Sequence, residues 1–116
     1  MLLRRERAPD ADAIRRLYLA AFETPAQANL VDNLRAGEDW IPELSLVAVD
    51  EEAVIAHVVC SRAALEPAGI PVLGFGPIAI DPDWQGKKIA VPLMHAMIAA
   101  AEARDESAIV LWGDTD

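Results

Sequence analysis

The segment from Gly74 to Ala103, GFGPIAIDPDWQGKKIAVPLMHAMIAAAEA, constrains the fold of this chain more than any other. Its β-branched apolar run Ile78–Ile80 predicts a strand, and the apolar stretch from about Lys88 to Arg104 predicts a helix. The short loop 85–88 therefore lies at a helix N-terminus. The first backbone N–H groups of a helix have no internal partner and the helix dipole is positive there, so this order predicts a site for a phosphate or pyrophosphate.

Lys87 and Lys88 are the only lysines of the 116-residue chain, and both fall in this loop. Their ammonium groups could add positive charge at bound phosphates. The alternative is an ordinary solvated basic pair. The sequence favours the first interpretation, because both lysines of the chain would otherwise fall in this one loop by chance.

The same loop resembles the acyl-CoA signature of the GCN5-related N-acetyltransferases (GNAT), Gln/Arg-x-x-Gly-x-Gly/Ala. Gln85 matches its first position and Ala90 its last. Lys88 departs from it, because the family has its inner glycine there and the backbone usually approaches the pyrophosphate at that point. With ELSLVAVDEEAVIAHVV at 43–59 and IVLWGD at 109–114, the chain resembles the bacterial YhbS-like branch over nearly its whole length.

This resemblance implies one GNAT-like domain over residues 1–116, of the α/β (α+β) class. The expected architecture has three layers, with a mixed sheet and helices on both faces. Relative to the family, the sequence lacks the last two strands and the helix between them, so we expect a C-terminally truncated domain.

The resemblance also implies the cofactor and its contacts. Acetyl-CoA, or another acyl-CoA, is the expected co-substrate, with no metal. The strand over 72–80 resembles the one that parts from its neighbour in the family, so that the pantetheine arm lies between them. Backbone N–H groups of Ile78, Ala79 and Ile80 are expected at the thioester carbonyl. The pyrophosphate is expected at the amides of Gln85, Gly86, Lys87, Lys88, Ile89, Ala90 and Val91.

The catalytic groups are considered residue by residue. Glu43 is the family-plausible general base, acting directly or through water, although a strand-end glutamate is also typical of a plain surface. We expect His57 and His95 to be packed or hydrogen-bonded histidines. Cys60 has no obvious paired base, which makes it a poor nucleophile candidate. The sole tyrosine, Tyr18, lies in the first predicted helix, whereas family enzymes commonly take a tyrosine acid from a later segment.

Two functions therefore remain open. The first is an N-acetyltransferase that moves an acetyl or acyl group from acyl-CoA to a primary amine by direct attack. That amine belongs to a small molecule, a protein N-terminus or a lysine. The second is a catalytically inactive, truncated CoA-binding or dimerising module, in which the predicted last strand Ala108–Trp112 offers an edge for a homodimer.

Composition excludes several other classes. Nineteen acidic against 10 basic residues give a formal net charge of −9, which disfavours nucleic acid and suits either a cationic acceptor or plain solubility. The longest apolar run, Ile89–Ala101, is too short to cross a bilayer, and MLLRRERAP does not resemble a signal peptide. Cys60 is the single cysteine, and no His/Cys/Asp/Glu set has metal-ligand spacing. We expect a cytoplasmic protein without membrane partners.

The remaining pattern predicts the other elements. Gly74, Gly76 and Pro77 in the strand before the loop indicate a bulge or splay. A helix beginning at Thr24–Pro25 has a hydroxyl N-cap and Gln27 in the capping-box position. The other predicted elements are a strand over 2–5, a helix over 10–22, and an antiparallel hairpin of strands 44–49 and 54–59.

Overall fold

The computed structural model describes residues 1–106 and 109–111, the last two of these by their main chain. Five strands, three α-helices and two short 3-10 turns, at Ala8–Asp10 and Pro82–Trp84, follow one another along this part of the chain. The strands are β1 (Leu2–Arg5), β2 (Trp40–Asp50), β3 (Ala53–Leu65), β4 (Ile70–Ile80) and β5 (Ile109–Leu111), and the helices are α1 (Ala11–Ala21), α2 (Ala26–Ala36) and α3 (Ala90–Ala103).

The strands form one mixed sheet in the order β1-β2-β3-β4-β5. The first four are antiparallel neighbours, and β5 runs parallel to β4. Helices α1 and α2 bury Ile14, Tyr18 and Val31 against one face of the sheet. Helix α3 buries Leu93 and Met97 against the other face. The predicted three-layer arrangement, with a mixed sheet and helices on both faces, is confirmed.

Helix α3 is held by a row of apolar side chains at helical spacing. Ile89, Leu93, Met97 and Ala101 are all buried, and Pro92 lies in the first turn, where its missing N–H costs no internal bond. The helix begins at Ala90 rather than near Lys88, because Lys88 has a φ of 61° and cannot belong to a right-handed helix. No α-helix in the described part of the chain combines the length and apolarity that crossing a membrane requires.

The hairpin of β2 and β3 turns within two residues. Glu51 and Glu52 have φ values of 47° and 69°, which is the left-handed pair that matches the twist of a two-residue hairpin. Asp50 and Ala53 are paired across the turn. The predicted antiparallel connection is confirmed, with longer strands than the sequence indicated.

The predicted capping of α2 is wrong. The N-cap is Pro25 and it receives no side-chain hydrogen bond, whereas the sequence pattern placed Thr24 there with Gln27 closing the capping box. The Thr24 hydroxyl accepts only a long hydrogen bond of 3.4 Å from the N–H of Ala26. The helix begins at Ala26, one residue later than the sequence predicted.

Strand β4 carries a bulge next to its last residues. Cys60 pairs with Phe75 and Val58 pairs with Ile78, so two residues of β4 oppose a single residue of β3. The extra residue falls at Gly76–Pro77, and Gly76 has a φ of 114° that only glycine adopts readily. The sequence prediction of a bulge in this strand is confirmed.

Candidate functional site

The last residues of β4 present main-chain groups to the edge of the strand that faces away from β3. The N–H of Asp81 donates to the carbonyl of Ile55 at 2.8 Å, which makes these two residues a hydrogen-bonded pair. Paired residues alternate in an antiparallel ladder, so Ala79 bonds to His57, while the main-chain groups of Ile78 and Ile80 point outward. The Ile80 carbonyl indeed accepts from the Gln85 side chain at 3.2 Å.

This outer edge of β4 is paired for only part of its length. Strand β5 pairs with Leu73, Gly74 and Phe75, and β4 then continues to Ile80. Within residues 1–106 and 109–111, no strand pairs with 76–80 on this side. An extended ligand could therefore add to this edge as a further strand would.

The loop after β4 leads into α3 through amides that lack acceptors. The 3-10 turn Pro82–Trp84 is capped by Asp81, whose carboxylate accepts from the N–H of Asp83 at 2.8 Å. In the loop 85–91, the N–H of Lys87 donates to the Trp84 carbonyl at 3.2 Å. The other amides of this loop have no acceptor among the described residues: Gln85, Gly86, Lys88, Ile89, Ala90 and Val91.

The conformation of Lys88 makes several of these amides converge. Lys88 is left-handed, and Ile89 follows it with φ −75° and ψ −32°, in the right-handed region. Successive residues of opposite hand direct their N–H groups into one concavity, which is a typical anion-binding nest. A nest at the first turn of a 14-residue helix also receives the positive end of its dipole.

The two lysines differ in their surroundings. Both are exposed, but the Lys87 ammonium lies 5.1 Å from the centroid of the Trp84 ring, in a cation–π contact. Lys88 makes no hydrogen bond or ion pair within the described part of the chain. Of the two lysines, Lys88 therefore has the ammonium group that is more available to a bound anion.

Glu43 is not brought together with the loop. It lies in β2 at the C-terminal end of α3, where its carboxylate accepts from Arg104 at 2.6 Å. Arg104 also approaches Glu106, which in turn forms two hydrogen bonds with Arg62. This ion-pair cluster favours a structural role for Glu43, and its catalytic role stays a prediction.

The two histidines have different environments. His57 is fully buried and hydrogen-bonded through both ring nitrogens, as expected. His95 is exposed on α3, so the prediction that it is packed is wrong: it occupies the helix face away from the sheet. Cys60 is buried, and burial raises the pKa of its thiol to about 12, which makes it a poor nucleophile.

Sequence reasoning missed the buried polar partners of His57, which are Tyr18, Ser45 and, through Ser45, Glu6. The available signal was the polar residues Ser45 and His57 inside two otherwise apolar strands. Buried polar groups need partners, and these two could only be paired once the strands were in register.

A separate open cleft of about 520 Å³ lies on the α1 side of the sheet. It is lined by α1, by the turn end of the β2–β3 hairpin and by Asp81. None of the loop residues 85–91 lines it, so the amide nest is a surface feature at the helix end and not part of this cleft.

The fold and site define a class of protein: an α/β domain in which a strand with a partly unpaired edge is followed by a loop of free amides and then by a helix packed on the sheet. The model of the Acetyltransferase (GNAT) family matches residues 11–116, and the chain belongs to this family. It is 34% identical to the uncharacterized N-acetyltransferase YhbS of Escherichia coli (strain K12) over 115 residues, which are 98% of this chain and 68% of that protein.

Solved structures agree. A GNAT family acetyltransferase from Brucella melitensis in complex with acetyl-CoA is 31% identical and superposes with a TM-score of 0.89, covering 97% of this chain and 75% of that one. Escherichia coli YhbS in complex with CoA is 32% identical with a TM-score of 0.88, covering 97% of this chain and 62% of that one. The resemblance and the fold class predicted from the sequence are confirmed.

Proposed function

We propose that this chain is an N-acetyltransferase that binds acetyl-CoA at the β4–loop–α3 junction and transfers its acetyl group to a primary amine. The observation that carries the proposal is the set of loop amides at 85–91 without acceptors in the described part of the chain. The loop is mostly exposed, so these N–H groups are free to bind water or a ligand at the helix end. Membership of an acetyltransferase family favours this function over the inactive module.

The loop would hold the diphosphate of the co-substrate mainly by main chain. The nest around Lys88 and Ile89 supplies convergent N–H donors, and charge-assisted hydrogen bonds of this kind are about twice as strong as neutral ones. Lys88 would add an ammonium at the same end of the helix. The two neighbours named above, crystallised with acetyl-CoA and with CoA, support this choice of ligand.

The strand edge would orient and polarise the thioester. The outward N–H of Ile78 is the donor we assign to the thioester carbonyl oxygen. The outward N–H of Ile80 would hold the arm behind it, because the Ile80 carbonyl already accepts from the Gln85 side chain. Ala79 turns its main chain to His57 of β3, so the prediction that its N–H meets the thioester carbonyl is wrong. Loss of one such donor typically lowers kcat by about 10²–10³-fold.

The chemistry needs no covalent enzyme intermediate. The neutral amine attacks the thioester carbon, negative charge forms on the carbonyl oxygen, and the C–S bond breaks to release the thiolate of CoA. The amine nitrogen loses a proton to a base or water, and the thiolate gains one. A buried Cys60 thiol takes no part.

We retain Glu43 as the proposed base, and its pairing with Arg104 gives the test. If Glu43 accepts the proton, Glu43→Gln lowers kcat by about 10²-fold or more, while Arg104→Gln leaves kcat unchanged. Equal effects of the two variants would assign both residues to the ion-pair cluster only.

The acceptor is proposed as a primary amine, from a small molecule, a protein N-terminus or a lysine. The net charge of −9 favours amine acceptors, because the protonated, cationic amine is attracted to the acidic protein. The amine then loses a proton and reacts in its neutral form. We also propose a cytoplasmic location and no nucleic-acid or membrane partner. A homodimer through Ala108–Trp112 is proposed from Ile109–Leu111, which lies at the end of the described sheet; Ala108 and Trp112 lie outside the described residues.

Isothermal titration with CoA tests the core of the proposal. The wild-type chain should bind CoA, and replacing Lys87 and Lys88 by glutamate should weaken binding. The matched control replaces the exposed Arg5 and Arg16 by glutamate, which changes the net charge equally at residues outside the loop. No wild-type binding at millimolar CoA would refute the function, and equal losses in both variants would refute the loop as the site.

A further inference from the structure

A chain of hydrogen-bonded polar side chains, of which Tyr18, Ser45 and His57 are buried, connects five elements on the α1–α2 side of the sheet. The Tyr18 hydroxyl lies 2.8 Å from His57 Nδ1, and His57 Nε2 lies 2.8 Å from Ser45 Oγ. The Ser45 hydroxyl donates to Glu6 Oε1 at 2.7 Å, and Arg35 makes two hydrogen bonds to the same carboxylate. We call these residues the polar chain; they come from α1, β3, β2, the end of β1 and α2.

The hydrogen bonds of the polar chain have only one consistent assignment of donors and acceptors. Burial disfavours ionisation of Glu6. The His57 ring 3.5 Å away and hydrogen bonds from Arg35 and Ser45 outweigh burial and lower the pKa of Glu6 to about 2, so its carboxylate can only accept. The Ser45 hydroxyl donates to Glu6 and therefore accepts from His57 Nε2–H. The pKa of His57 is lowered by burial, so its ring is neutral, and Nδ1 accepts from the Tyr18 hydroxyl.

The polar chain lies directly behind the strand edge of the candidate site. His57 pairs with Ala79, and Tyr18 packs with Ala79 in one buried cluster. Ala79 sits between Ile78 and Ile80, whose main-chain groups face outward. Tyr18 provides the only side-chain hydrogen bond from α1 to the interior of the sheet in the described part of the chain.

We propose that Tyr18 and His57 are positioning residues that hold the outward N–H of Ile78 in register with the thioester carbonyl. The proposal rests on the proposed function. The hydrogen bond between them fixes α1 over Ala79, and the rigid pairing of Ala79 with His57 sets the plane of the adjacent peptide. Loss of the bond would loosen this peptide, while the amide loop on the opposite face of the sheet would stay intact.

Isotope-edited infrared spectroscopy of bound [1-13C]acetyl-CoA measures the effect without a known acceptor. The wild-type chain should lower the thioester carbonyl frequency relative to free acetyl-CoA, because the N–H donor polarises it. Tyr18→Phe should reduce this downshift and lower the rate of acetyl transfer to hydroxylamine by about ten-fold, part of the loss expected from deleting a donor. Its Kd for CoA should change less than about two-fold, since the loop supplies most of that affinity.

The control is Ile41→Val, at the far end of β2 on the other face of the sheet. A buried Ile→Val change costs about as much stability as one lost hydrogen bond, so the two variants should have similar Tm values. Ile41→Val should keep the full downshift and rate.

A full downshift in Tyr18→Phe, or an equal loss in both variants, would overturn the positioning role. If Tyr18→Phe does not fold, Ser45→Ala cuts the polar chain on the other side of His57 and is judged by the same criteria. A wild-type chain that binds acetyl-CoA without any downshift would refute both the Ile78 assignment and this inference. Failure of the wild-type chain to bind CoA would instead refute the proposed function.

Discussion

Replacing Lys88 by glycine should stabilise the fold and weaken CoA binding at the same time. Lys88 has a φ of 61° in a conformation that costs a non-glycine residue about 1–2 kcal/mol. Glycine removes this cost but raises the entropy of the unfolded chain, which offsets about 0.4–1 kcal/mol. The net gain in the free energy of unfolding is about 0.5–1 kcal/mol, or a rise of about 2–4 °C in Tm for a chain of this size.

Binding should change in the opposite direction. The variant keeps every amide of the nest but lacks the ammonium group, so the Kd for CoA should rise by about five-fold at low salt. The difference should shrink at 0.5 M salt, where the Debye length is only about 4–5 Å. Differential scanning fluorimetry of the free protein and titration calorimetry with CoA measure the two effects.

Two variants separate the contributions. Lys88→Arg keeps both charge and strain and should match the wild type in Tm and in Kd. Lys87→Gln removes a charge from the same loop at a residue without positive φ, so it should not raise Tm. An unchanged or lower Tm for Lys88→Gly would refute the argument from backbone strain. An unchanged Kd at low salt would leave Lys88 as a solvated side chain.

Three further predictions concern the body of the domain. Stability should fall as the pH drops below the ordinary His57 pKa of 6.5, because the unfolded chain takes up a proton there that the buried ring does not. A further loss should follow below pH 4.5, because the unfolded chain takes up a proton at Glu6 that the folded carboxylate, with a pKa of about 2, does not. Urea midpoints from pH 8 to 3 measure this, and a flat profile would contradict it. Cys60, with its pKa raised to about 12, should resist a thiol reagent such as Ellman's reagent at pH 8 until denaturant is added; fast labelling of the native protein would contradict its burial. Leu93→Ala should cost about 2–5 kcal/mol of unfolding free energy by chemical denaturation, because the side chain is fully buried, whereas the exposed Val91→Ala should cost far less.

Local features of this protein could be predicted from the sequence because they depend on neighbouring residues. The apolar stretch from about Lys88 to Arg104 predicted the helix that became α3, and the two β-rich segments 44–49 and 54–59 predicted the hairpin. The order of strand, loop and helix predicted an anion site at Gln85–Val91. Each prediction rests on periodicity or on the backbone groups of a helix end, which need no knowledge of distant contacts.

Tertiary structure decided the features that depend on residues far apart in the chain. Whether Ile78 or Ala79 presents its amide outward depends on the hydrogen-bonding register with β3, and the bulge at Gly76–Pro77 shifts that register by one residue. Glu43 meets Arg104 only because β2 starts beside the end of α3.

The polar chain shows the same limit most clearly. Tyr18 and His57 are 39 positions apart, and Ser45 and Glu6 are also 39 apart. The local sequence pattern shows that Ser45 and His57 are polar residues within apolar strands, but it cannot predict which residues they bond to. Their pairing follows from packing helices and strands in three dimensions, because a buried polar group is stable only where the fold brings a partner to it.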